Sequence, residues 1–178
     1  MIRAGDQPMP PSQADKNAVI TRLLYDMCTL AASLAFLRSW QRKPKALDLQ
    51  EEHLALNAAL VKVRCLYDFF YQTTKTVNKK SAKKDPVDIT ADQILPLTLR
   101  AYTLEEADFR KSINKWCAHM TWDRIRSGTR PPTPKQAKRF GGQLLAHAKP
   151  FVADCLHRGF KLNKTGRIYW KRFNALSR

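Results

Sequence analysis

Glycine is scarce in this chain, which has 6 Gly in 178 residues. Together with long apolar periods near 3.6, that scarcity favours an all-α fold over a strand-rich one. Cysteine is also sparse. The 4 Cys stand far apart at 28, 65, 117 and 155, with no CxxC pair. A zinc site therefore has no ligand spacing to rest on, no metal or other cofactor is expected, and reduced, mostly buried thiols are. Acidic residues are outnumbered, 15 Asp+Glu against 32 Lys+Arg, for a formal charge of +17. Recognised nucleotide and hydrolase patterns are missing as well. There is no GxxxxGK[ST], GxGxxG or HExxH, and no serine in a nucleophile-elbow context, so P-loop, zinc-hydrolase and Ser/His/Asp chemistry are unsupported. No hydrophobic run follows Met1, and no apolar stretch is read as reaching the roughly 18 residues of a membrane span. A cytoplasmic protein with no membrane partner is expected.

What is present is cationic charge on helical periodicity. A charge of +17 attracts a polyanion, most plausibly RNA or DNA. The plainer alternative is a soluble basic protein with a solvated cationic face.

Residues 1–12 are proline-rich and lack apolar rhythm, which reads as a tail. A helix begins near Ser12 or Asp15, with Ile20, Leu23, Leu24, Met27, Leu30, Ala31, Leu34 and Leu37 as its apolar face. A second runs from Asp48, with Glu51 in capping-box position, to about Thr73. It is apolar on two sides, Leu54, Ala58, Val61, Cys65 and Phe69 on one and Leu56, Leu60, Val63, Tyr67 and Phe70 on the other, so a central place in the bundle is expected. Asn57, Arg64 and Asp68 form a narrow polar stripe along it. Arg64 and Asp68 either make a structural pair or face the third helix. Lys75, Lys79, Lys80, Lys83 and Lys84 crowd an aperiodic loop, and Thr90 to Leu95 suggest one helical turn.

The third helix starts at Thr103, boxed with Glu106, and stops at Gly128. The fourth starts at Thr133–Pro134 and runs to about Arg158, with Pro150 expected to kink or divide it. The expected architecture is thus an up-and-down bundle of four long helices over residues 13–159, followed by a basic, aromatic extension over 160–178. From Thr129 to the end there are 12 Lys+Arg and one acid, Asp154. Within the extension Lys164, Arg167, Tyr169, Trp170, Lys171 and Arg172 interleave cations and rings, as a single-stranded nucleic-acid surface requires. The alternative is that the rings dock on the bundle while the cations face water.

Arg110 to Arg126, RKSINKWCAHMTWDRIR, gathers polar groups beside a core face of Ile113, Trp116, Cys117 and Met120. Asn114, Thr121 and Arg124 fall near one stripe, and Lys115 and His119 on a neighbouring one. A histidine titrating near pH ~6.5 can act as base or acid, and Lys115 or Arg124 can stabilise a developing phosphorane charge. The alternative for His119 is a core histidine bonded to a carboxylate or carbonyl.

Asn114-Lys115 followed by Ala118-His119-Met120-Thr121 resembles the signature of HEPN domains, an Arg and a polar residue followed by a His after four to six positions. Arg64-Cys65-Leu66-Tyr67-Asp68-Phe69-Phe70 resembles a segment of the preceding helix in a bacterial variant of that family. Asn114 stands where the family usually has Arg. The resemblance spans about residues 48–127. It implies a helical homodimer that cleaves RNA without metal, of toxin or defence type. His119, Asn114, Lys115 and Arg124 would be its catalytic groups, supported by Arg64, Asp68 and Thr121. A non-catalytic nucleic-acid binder, or a structural, antitoxin-like partner of another protein, are the other expectations.

Overall fold

The computed structural model describes residues 11–40, 49–71, 89–95, 103–114 and 132–177. Among these residues all regular structure is helical: α1 (Gln13–Trp40), α2 (Leu49–Tyr71), α3 (Ala91–Ile94), α4 (Leu104–Ile113), α5 (Pro134–His157) and α6 (Lys164–Leu176). The chain is an all-α bundle. His119, Lys115, Thr121 and Arg124 lie outside the described residues, as do the loop lysines 75–84.

Helix α1 is the hub, packed against α2, α5 and α6. Its start is set by a reciprocal cap. The Asp15 N–H donates to Ser12 Oγ at 3.2 Å, and the Ser12 N–H donates to the Asp15 carboxylate at 3.0 Å. Those bonds from Ser12 hold the Asp15 carboxyl below its ordinary range. All of the apolar face expected from Ile20 to Leu37 is buried. By length and composition alone, Gln13–Ser39 qualifies as a membrane span, which corrects the expectation that no stretch is apolar enough. Its apolar side chains are instead the core of the bundle, and Asp26 is paired with Lys62 of α2 at 2.6 Å.

Helix α2 buries one apolar side along its length and the other only toward its C-terminal end. Leu60, Val63, Tyr67 and Phe70 are in the core, whereas Leu54 is 69% exposed, Val61 is 42% exposed, and Cys65 is exposed. Of the second apolar stripe read from the sequence, these three face outward, whereas Phe69 packs on the core, edge-on to Phe151 at 5.7 Å. Phe70 meets Phe151 of α5 edge-on at 5.3 Å. Tyr71 stacks on His147 of α5 at 6.1 Å, which gives that histidine a packing role.

Caps fix the remaining starts. Thr103 Oγ1 accepts from the Glu106 N–H and Thr133 Oγ1 from the Gln136 N–H, each at 3.2 Å, and both partners return a bond. Helix α4 docks on α5 through Phe109 and Phe140, stacked at 4.3 Å. Helix α5 continues through Pro150. It ends in a Schellman turn: the Phe160 N–H donates to Cys155 O and the Gly159 N–H to Leu156 O, both at 3.1 Å. Gly159 takes φ 88°, a left-handed conformation that a side chain would strain.

Residues 160–177, expected as a basic extension, hold a further helix, α6. Asn163 caps it by accepting from the Gly166 N–H at 2.8 Å. Gly166 lets it approach α1, since a Cβ there would stand 3.0 Å from Thr21 Oγ1. The approach is also tied by the Lys161 N–H, which donates to Asn17 Oδ1 at 3.1 Å.

Candidate nucleic-acid interface

Helix α6 carries two faces at helical spacing. Gly166, Tyr169, Trp170 and Phe173, at steps of three, four and seven, turn inward. Gly166 and Phe173 are buried, and both Tyr169 and Trp170 are half-buried against the core. Tyr169 meets Tyr25 of α1 edge-on at 5.5 Å, and Trp170 stacks on Phe173 at 6.0 Å. Of the two readings of these rings, the structure has them docked on the bundle, each half-buried.

The opposite face is Lys164, Arg167, Ile168, Lys171 and Arg172, again at steps of three, four, seven and eight. All five are exposed. From Lys164 to Arg172 the helix rises about 12 Å. There is no acid on α6. Among the described residues, none of these four cations makes an ion pair. The acids that form ion pairs among the described residues have other partners: Asp26 has Lys62 and Arg22, Asp68 has Arg64 and Arg110, Asp108 has Lys111, Glu105 has Arg139, and Asp154 has Arg158. Among the described residues the positive charge of α6 is therefore uncompensated, and it lies on one face. Its field reaches α1, where Arg172 favours the Cys28 thiolate against the larger effect of burial, which raises that thiol's pKa.

The second candidate cluster joins α2 and α4. Arg110 Nε donates to Asp68 Oδ1 at 3.0 Å, and its second nitrogen reaches the same oxygen. Arg64 Nε stands 3.7 Å from Asp68 Oδ2. The polar stripe of α2 thus faces α4 through Arg110, one turn before Asn114. Asn57 of that stripe is exposed. Asn114 ends α4, its N–H donating to the carbonyls of Arg110 and Lys111. Its amide Oδ1 is buried with no hydrogen-bond partner among the described residues. Arg110 stands nine residues before His119, outside the spacing of the HEPN signature. The signal that points to it is its step of four to Asn114, which puts both on one stripe. Among the described residues no group of His, Cys, Asp or Glu is arranged to hold a metal ion.

Compared with models of known protein families, with curated proteins and with solved structures, the chain matches none of them.

Proposed function

We propose that the protein is a nucleic-acid-binding helical bundle whose contact surface is the outer face of α6. The observation that carries this reading is the set of four exposed cations, Lys164, Arg167, Lys171 and Arg172, none matched by an acid among the described residues. A single surface ion pair matters little, but several uncompensated cations on one rigid face release counterions from a phosphate backbone together. Ile168, 45% exposed between them, offers an apolar contact to a base or sugar. Half-buried Tyr169 and Trp170 fix the pitch of the face and leave ring edges beside it.

The test is fluorescence anisotropy of labelled single-stranded RNA and duplex DNA across about 50–200 mM salt. Binding should weaken steeply with salt. Replacing all four cations by Gln should flatten the log–log slope by roughly 0.7 per lost phosphate contact on a single strand. Absent binding, or an unchanged slope in the variant, overturns the reading and leaves the antitoxin-like or structural alternative.

A chemical reading is added by the HEPN resemblance: metal-independent RNA cleavage centred on His119, with Lys115, Arg124 and Asn114, in a homodimer. It is favoured by one contact. Asp68, within one of the two segments that carry the resemblance, receives Arg110 from the turn before Asn114, the first residue of the other. RNA incubated with the protein in EDTA should be cut, and His119→Ala should abolish cutting while the helical signal is kept. Intact RNA with wild-type protein overturns this reading without touching the binding one.

A further inference from the structure

A cavity of about 290 Å³ lies between α1, α5 and α6. It exists because small residues stand where the three helices meet: Ala31 on α1, Gly142 and Ala146 on α5. A Cβ built on Gly142 meets no atom within 4 Å, so this glycine serves no close approach and simply leaves room. The apolar wall open to the cavity is Leu145, half-buried, and Leu176, 38% exposed, over a floor of buried Leu34 and Phe173. Arg38 and Lys149 also line the cavity and reach solvent. Neither makes an ion pair among the described residues, and no acid lines the space.

We propose that this cavity binds a small amphiphilic anion of the medium-chain monocarboxylate class, with its hydrocarbon against Leu145 and Leu176 and its carboxylate held by Arg38 and Lys149. The volume falls near the low end of small-molecule sites, roughly 300–1,000 Å³. The apolar wall disfavours a purely hydrophilic anion, which would lose hydration without recovering it. Two unmatched cations disfavour a cationic amphiphile and give an anion its orientation. The residues belong to α1 and α5 as much as to α6 and include none of the four cations proposed to meet nucleic acid, so either proposal can fail alone.

The test is calorimetric titration of the full chain with octanoate, octanol and octyltrimethylammonium. Octanoate should saturate a single site. Octanol should bind more weakly by about three- to tenfold, and the cation should not bind. Gly142→Leu should fill the cavity and abolish octanoate binding while the melting temperature is kept or raised. Arg38→Gln with Lys149→Gln, both surface changes, should weaken octanoate by about tenfold and leave octanol unchanged. The proposal is overturned if octanoate does not bind, if octanol matches it, or if the double variant binds octanoate as the wild type does. Undiminished binding by a folded Gly142→Leu protein also overturns it.

Discussion

Arg110 on α4 donates from Nε to Asp68 Oδ1 on α2 at 3.0 Å, across 42 positions of sequence. A second guanidinium, Arg64, flanks the other carboxylate oxygen at 3.7 Å. One acid therefore holds two cations apart from each other and ties α4 to the bundle. The Asp68 and Arg110 side chains are each 25% exposed and Arg64 is 38% exposed, so water screens the cluster in part.

The cluster predicts an order of stability losses. Asp68→Asn leaves two guanidiniums facing a neutral amide and should cost most, about 1–3 kcal/mol. Arg110→Met removes the shorter contact and should cost about 1 kcal/mol. Arg64→Met, at the more exposed and longer pair, should cost under about 0.5 kcal/mol. Urea midpoints of the three variants read the order directly. A loss at Arg64 as large as at Asp68 would mean that the carboxylate is not the shared anchor.

Adjacent glycines on α5 should respond with opposite signs. At Gly142 a methyl group meets nothing within 4 Å, so Gly142→Ala gains helix propensity and should stabilise by about 0.5–1 kcal/mol. At Gly141 the added Cβ would stand 3.0 Å from Leu34 Cδ1 and 3.3 Å from Leu30 Cδ1. Both leucines are in the core, at 1% and 0% exposure, with little freedom to withdraw. Gly141→Ala should therefore cost about 1–3 kcal/mol despite the same gain in propensity. Thermal unfolding of the two single variants checks this, and equal shifts would show that α1 does not press on α5 at Gly141.

How far the sequence carries such contacts depends on their range. The buried face of α1, the Thr103–Glu106 cap, the Thr133 start and the Gly159 stop are all local patterns, and each was legible. The partner of Arg110 was not, because spacing along one helix says nothing about a carboxylate 42 positions away. The two apolar stripes of α2 looked equivalent. Only the neighbours decide that Leu60 and Tyr67 are covered while Leu54 and Val61 are open. Helix α6 was readable in principle. Gly166, Tyr169, Trp170 and Phe173 keep one helical period, and Lys164, Arg167, Ile168, Lys171 and Arg172 keep another, with Asn163 in capping position. Read as a simple alternation of rings and cations, the same residues give only a basic, aromatic extension. The cavity beside α6 depends on small residues of two other helices, a coincidence of packing that no single helix period reveals.

Burial makes Cys155 the source of an alkaline limit on stability. The side chain is 0% exposed, and its thiol is raised from 9.0 to about 12, chiefly by burial and then by the adjacent Asp154, against an opposing pull from Arg158. Below pH 9.0 the thiol is protonated in the folded and unfolded chains alike, and its contribution is fully present. Above that pH the unfolded chain loses the proton first, so stability falls as pH rises until the folded thiol ionises near 12. The slope from this one group approaches 1.4 kcal/mol per pH unit at most. Lysines and tyrosines titrate in the same window, so the measurement is a difference. Cys155→Ala should be less stable than wild type at pH 7 because it removes packed core volume, and the gap should narrow as pH rises above about 9. The same burial should leave Cys155 slower to react with iodoacetamide than exposed Cys65, as peptide mapping of the native protein would read. A gap that stays constant from neutral to alkaline pH would place the Cys155 thiol in contact with water and remove it as the origin of the limit.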